Sequence, residues 1–214
     1  MDTFRKHWFD FGGFFAIILL FFVFKNYNSL TAYELLMWLS LASLFFHQLE
    51  EYRIGGTFPG MMNHVMFHSE MPDRYPLNTN TALIVNVVVG WLFYFLAAYF
   101  GEKAIWLGMA TILVSLGNFI AHTFLFNIKG KTFYNAGMVT SWIFFAPCVY
   151  FFFKIIYAGN LINTADYLIG IPLGIVLNVV GILKMIDWLK DKNTKYIFDQ
   201  RNLLPQDRKI NLQK

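Results

Sequence analysis

The sequence predicts an all-α protein, a polytopic bundle of about six membrane-spanning helices with both termini on the cytoplasmic side. Composition is the first observation behind this. Of 214 residues, 57% are hydrophobic and only 14% charged, where a soluble domain of this size carries roughly a quarter charged residues. Second, several apolar runs approach the roughly 20 residues needed to cross a hydrocarbon core. Third, Lys and Arg are divided very unevenly between the two sets of loops, which orients a membrane protein.

In chain order the expected spans are residues 8–24, 33–52, 81–100, 103–126, 134–157 and 166–189. The first lies close to the N-terminus. Its 14–24 stretch is bulky and no small-x-small cleavage site follows before Tyr33, so it reads as a retained span and not as a signal peptide. Trp8, Tyr33, Tyr134 and Tyr157 sit near span ends, as interfacial anchors do. Pro147 and Pro172 fall inside spans, where kinks are tolerated when neighbouring helices satisfy the freed carbonyls. The chain reads as one transmembrane domain over 1–214. Its one long connection, 53–80, is rich in Gly, Pro and Asn, and loops of that length are commonly functional. Residues 190–214 form a basic cytoplasmic tail.

Of the 17 Lys and Arg, only Lys25, Lys103 and Lys154 fall on the side opposite the termini. The remainder lie at the N-terminus, in the 53–80 loop, at Lys129 and Lys131, and beyond Lys184. The expected location is a bacterial inner or plasma membrane, with membrane lipids and a small-molecule or lipid substrate as partners. A net charge of +4, most of it in the tail, gives no basis for nucleic-acid binding. Cys148 is the only cysteine, which excludes an intramolecular disulfide and any multi-cysteine metal site.

The chemistry sits at His47-Gln48-Leu49-Glu50-Glu51, which closes the second span. Ionisable groups at membrane depth are costly to bury and are functional candidates by default. Glu50 and Glu51 stand at i+3 and i+4 from His47, so both carboxylates can share its side of a helix. The 53–80 loop adds His64 and His68, four apart on an expected short helix over 60–70. The fourth span adds Asn118 and His122, and the fifth opens with Tyr134-Asn135-Ala136-Gly137. At about 1.5 Å of rise per residue, His47 lies roughly 9 Å and His122 roughly 6 Å above their helix ends. Asn86 of the third span is at a comparable depth, and only His7 is left out, as an interfacial residue. Singly, each residue has an ordinary reading: a bundling hydrogen bonder, a solvated helix end beside Arg53, a surface histidine packed by Met61, Met62, Val65 and Met66. Together, four of the five histidines gather at one face with the paired carboxylates.

Three of these motifs, His47-x-x-Glu50-Glu51, Asn118-x-x-x-His122 and Tyr134-x-x-Gly137, resemble the signatures of the HXXEE-domain family of integral membrane proteins, over roughly residues 35–190. Ala136 stands where that pattern has proline. The resemblance implies an intact site and assigns it no reaction.

The residue types suit a metal-dependent membrane enzyme, a hydrolase acting on a lipid or membrane-embedded substrate. His47 and Glu51 are the ligands from one helix, completed by His64, His68 and His122. Glu50 is the general base, as in an H-x-x-E-H arrangement with its last histidine exchanged. Asn118 and Asn135 orient a ligand or donate to an oxyanion. The expected cofactor is a divalent transition metal, zinc above others, because three protein ligands with an open position make a catalytic zinc site. Four histidines with two glutamates also suit a di-iron oxidase or oxygenase. A metal-independent glutamate-type intramembrane peptidase is a third reading. The fourth is a metal-handling or transport protein using Met61, Met62, His64, Met66, His68 and Met71.

Overall fold

The computed structural model describes residues 2–208. Helix α1 is Asp2–Asn26, α2 spans 32–54, α3 58–66, α4 79–100 and α5 105–130. They are followed by α6, Met138–Ala158, and α7, Thr164–Trp188, with a single turn, α8, at Pro205–Arg208. No strand occurs among the described residues. Four stretches are long and apolar enough to cross a membrane: Asp2–Asn26, Thr79–Gly130, Met138–Ala158 and Thr164–Trp188. The second folds back on itself at Gly101, whose φ of 52° lies in the left-handed region that glycine adopts freely. Its halves, α4 and α5, pack together, with the Tyr94 hydroxyl 2.9 Å from the Thr111 carbonyl and 2.8 Å from Ser115 Oγ. Helix α2 is not among the four, because Glu34, His47 and Gln48 dilute its apolar content.

Helix α2 is the axis of the bundle. It touches α1, α4, α5 and α6, and shows no large exposed hydrophobic side chain before Ile54. The lipid-type surface is carried by the outer helices: Phe14, Ile17 and Phe21 on α1, Tyr99 on α4, Ile143 and Tyr150 on α6, Leu168 and Ile175 on α7. Placing the polar helix at the centre avoids exposing charged groups to hydrocarbon. A capping box starts α2, with Thr31 Oγ1 accepting from the Glu34 amide at 3.2 Å and Glu34 Oε2 from the Thr31 amide at 3.0 Å. Such caps contribute about 1 kcal/mol.

Helix α7 lies against α5 across Gly170 and Gly174. A Cβ at Gly170 would stand 2.6 Å from the Trp106 carbonyl oxygen, and one at Gly174 2.8 Å from the Leu113 side chain. This is the small-xxx-small spacing that lets membrane helices approach closely. Asn178 Nδ2 then donates to the Leu113 carbonyl across the interface at 3.3 Å.

Several expectations shift. The helices run past the anticipated spans by up to about two turns, α1 beginning at Asp2 and α5 ending at Gly130. The short helix expected over 60–70 is α3, and it ends at Met66. His68 follows with φ 51°, so it leaves the helical face that carries His64. The spacing argument required a helix continuing for one more turn.

The N-terminal turn, the 53–80 loop, the α5–α6 connection and the segment after α7 all gather at one end of the bundle. Lys6 pairs with Asp199 at 3.3 Å and His64 with Asp207 at 2.8 Å. The Thr79 amide donates to the Tyr196 carbonyl at 3.1 Å and the Phe198 amide to the Asp73 carbonyl at 2.8 Å. Single cysteines at Ser69 and Gln206, in a Cys148→Ser background, should therefore respond alike to an impermeant thiol reagent in intact cells. The Lys/Arg distribution makes the expected result protection of both. Labelling of one without the other would break this arrangement.

Candidate metal centre

Helices α2, α5 and α6 each carry a π-type turn near the cluster, at Glu50–Ile54, Ala121–Leu125 and Ser141–Phe145, as α3, α4 and α7 do elsewhere. An extra residue per turn reorients the side chains around it, and such turns recur at functional sites. His47 and Glu51 approach from α2 and His122 from α5. His47 is 2% exposed, Glu51 4% and His122 0%. One ligand atom from each lies within 4.8 Å of the others. Glu51 Oε1 is 3.5 Å from His47 Nε2 and 3.3 Å from His122 Nε2, and neither ring nitrogen has a hydrogen-bond donor or acceptor satisfying it. Aromatic rings close the surroundings, with Phe145 4.6 Å from the His47 ring, Phe126 4.9 Å and Phe58 5.8 Å from the His122 ring.

The far nitrogens of both histidines are engaged. His122 Nδ1 is 2.6 Å from Asn135 Oδ1, and Asn135 Nδ2 donates to the His122 carbonyl and to Asn127 Oδ1, each at 2.8 Å. Those two donations fix which end of the amide is which. The proton between Asn135 and His122 therefore sits on His122 Nδ1, and in the neutral ring Nε2 carries the lone pair. His47 Nδ1 is 3.0 Å from Thr140 Oγ1.

Glu50 faces another way. Its Oε1 accepts from the Tyr134 hydroxyl at 3.1 Å and the Val139 amide at 3.2 Å, its Oε2 from the Thr140 amide at 2.8 Å and the Thr140 hydroxyl at 2.5 Å. A carboxylate has about four acceptor sites, and here four donors fill them. Helix α6 begins at Gly137 without a side-chain cap of its own. Glu50 supplies one from α2, satisfying orphan amides at the positive end of the helix. Burial and the Glu50 carboxylate push the Tyr134 phenol up to about 12, so it remains a donor at neutral pH. Arg53, which might have neutralised the paired glutamates, turns to Asp10 of α1.

The other expected residues separate. Asn135 holds His122 as described. Asn118 donates to the Val114 carbonyl at 2.9 Å and lines a cavity of about 80 Å³ that opens from His47 and Glu51 into the bundle. Gln48 and Asn86, joined at 3.0 Å, and the hydroxyl-bearing Tyr52 and Tyr94 also line it, and apolar side chains such as Leu44, Phe93 and Leu177 form most of the rest. His64 is taken by Asp207 and His68 is exposed; neither joins the His47–Glu51–His122 cluster. Thr140 and Asn127 were not anticipated. Each is an ordinary polar residue in sequence, and only tertiary hydrogen bonds reveal its place.

Buried ligand-type side chains inside an apolar helical bundle define a class, the helical membrane protein with a His/Glu/His cluster able to hold a metal ion. A family model described as "Protein of unknown function with HXXEE motif" matches residues 38–152, more than half of the chain. The chain belongs to that family. No curated protein and no solved structure matches it.

Gly137 is the tightest point of the site. Its φ is 103°, and a Cβ there would stand 2.4 Å from His122 Cε1 and 2.9 Å from His47 Cε1. Gly137→Ala should lower the thermal midpoint in detergent by the equivalent of about 1–3 kcal/mol from backbone strain alone, with further loss from displaced rings. An unchanged midpoint would show that the connection does not lie over the histidines.

Proposed function

We propose that this protein is a metal-dependent membrane enzyme with one divalent transition-metal ion held by His47, Glu51 and His122. The observation that carries the reading is the convergence of three buried ligand-type side chains, two of whose ring nitrogens have no hydrogen-bond partner, together with their spacing. Two bonds of about 2.0–2.1 Å meeting at a tetrahedral angle set ligand atoms about 3.3 Å apart. The observed separations are 3.5 and 3.3 Å. A proton shared between imidazolium and carboxylate would draw the pair to about 2.7–2.9 Å. All three ligand atoms lie within 4.8 Å of one another, and the two histidine–carboxylate separations suit a metal better than a shared proton.

Zinc suits the donor set of two imidazoles and a carboxylate, which leaves one position open in the pattern of catalytic zinc sites. A bound ion supplies Lewis acidity and an activated water at neutral pH. This is the basis for the hydrolase reading. His64 and His68 stand apart, so a dinuclear iron centre lacks its second set of ligands. Glu50 has no free lone pair with which to take a proton, which removes the support for its role as base and for a glutamate peptidase. The methionines do not assemble a soft-metal site either: Met61 and Met62 are buried in the core and Met71 is exposed. Asn118, on the cavity wall, is placed to orient a carbonyl. The cavity holds two or three water-sized groups at about 30 Å³ each, and its apolar lining favours an ester or amide of a lipid or membrane-embedded chain. Six crossings, with the site end cytoplasmic, complete the reading.

Elemental analysis of detergent-purified protein should find one transition-metal ion per chain. His122→Ala and Glu51→Gln should lose it, while His64→Ala and His68→Ala keep it. Protein that takes up no ion after metal is resupplied would overturn the reading, and two ions per chain would restore the dinuclear alternative.

A further inference from the structure

Glu50 is buried, saturated with donors and spent on none of the roles above, yet it lies one residue from a ligand. What links it to the cluster is Thr140. The threonine hydroxyl has a single proton and three neighbours that could accept it, Glu50 Oε2 at 2.5 Å, His47 Nδ1 at 3.0 Å and the Gly137 carbonyl at 3.2 Å. An ionised carboxylate at the shorter distance takes it. The hydroxyl oxygen is then left only as an acceptor, and its remaining neighbour, His47 Nδ1 at 3.0 Å, must be the donor. We infer that Glu50 and Thr140 are positioning residues that hold His47 as its Nδ1–H tautomer, aim its Nε2 lone pair at Glu51 and His122, and raise its strength as a donor.

The physical basis is the one by which carboxylates behind metal-binding histidines orient the ring and increase its basicity, with a hydroxyl interposed here. Glu50 is well fixed for this purpose. Two backbone amides and the Tyr134 phenol hold it, so the relay is anchored to the start of α6. The inference also separates the two histidines. His122 is backed by the neutral amide of Asn135, whereas His47 is backed by a hydroxyl already polarised by an anion. His47 is therefore the stronger donor of the pair. This rests on the metal reading for its consequence, but the tautomer itself belongs to the metal-free protein and can be tested there.

The experiment is nitrogen NMR of histidine-labelled, metal-free protein, paired with titration by Co²⁺ as a spectroscopic probe. In the wild type, His47 should carry its proton on Nδ1. Thr140→Val, which keeps the shape and removes the hydroxyl, should abolish that preference and weaken Co²⁺ binding about 10–100-fold. Thr140→Ser should retain the tautomer and the wild-type affinity. A wild-type His47 protonated on Nε2 would overturn the relay without recourse to any variant. So would a Thr140→Val protein with unchanged tautomer and affinity. Wild-type protein with the Nδ1–H tautomer and no Co²⁺ binding would sink the metal centre while leaving the relay standing.

Discussion

Two imidazole nitrogens without a hydrogen-bond partner and a carboxylate converge in a buried cluster, and much of the bundle is arranged around that constraint. In an apolar interior such an arrangement is unfavourable on its own, because unpaired acceptors lose their water and repel one another. It calls for a compensating charge and for surroundings that hold the rings in place. The second requirement is visible directly. Asn135, itself held by Asn127, fixes His122; Thr140, bonded in turn to Glu50, contacts His47; and Gly137 passes so near both rings that no side chain fits there.

Adjacent glutamates in one motif serve different ends for a simple geometric reason. Successive residues on a helix diverge by about 100°, so Glu50 and Glu51 cannot face the same neighbour. Glu51, four residues from His47, shares its face and meets His122 of α5. Glu50 turns to α6 and closes the amides of its first turn. The division also lessens the difficulty of burying two carboxylates side by side, since Glu50 is satisfied by donors from α6 and its approach while Glu51 alone faces the histidines. It accounts for the central position of α2 as well, because only a helix surrounded by others can direct charged groups to two neighbours at once.

Much of this was legible in the sequence, and the reasons for the remainder are specific. Hydropathy and length located the apolar helices, since those signals are local. His47 and Glu51 could be paired from spacing alone, because both lie on one continuous helix. His122 followed from its depth in a helix of the right direction. His64 and His68 were drawn in by the same i, i+4 reasoning, which failed when α3 ended at Met66. Thr140 and Asn127 were invisible, because they act only through contacts between helices. Glu50 looked like a base by chemical type. Its engagement with α6 depends on Gly137 bringing an uncapped helix start against α2, which no local pattern encodes.

The site's surroundings bear on what can reach it. At the near end of the bundle, Phe58 of α3 lies over His122, and the chain after α7 closes over α3. Asn202 Nδ2 donates to the Tyr52 and Gly56 carbonyls at 3.1 and 2.9 Å. Leu203 is fully buried, and a Cβ at Gly60 would stand 2.6 Å from the Leu204 amide nitrogen, so backbone packs on backbone there. The cluster is thus roofed on its polar side by two layers, a ring and a strap of chain. The space that remains beside His47 and Glu51 is lined by α2, α4, α5 and α7, together with Phe58 and Met62 of α3 and Leu77. A water-soluble reactant coming from the roofed end would have to displace both layers. The proposed preference for a membrane-borne substrate therefore rests on this roof and on the apolar lining of the cavity, and not on the identity of the metal.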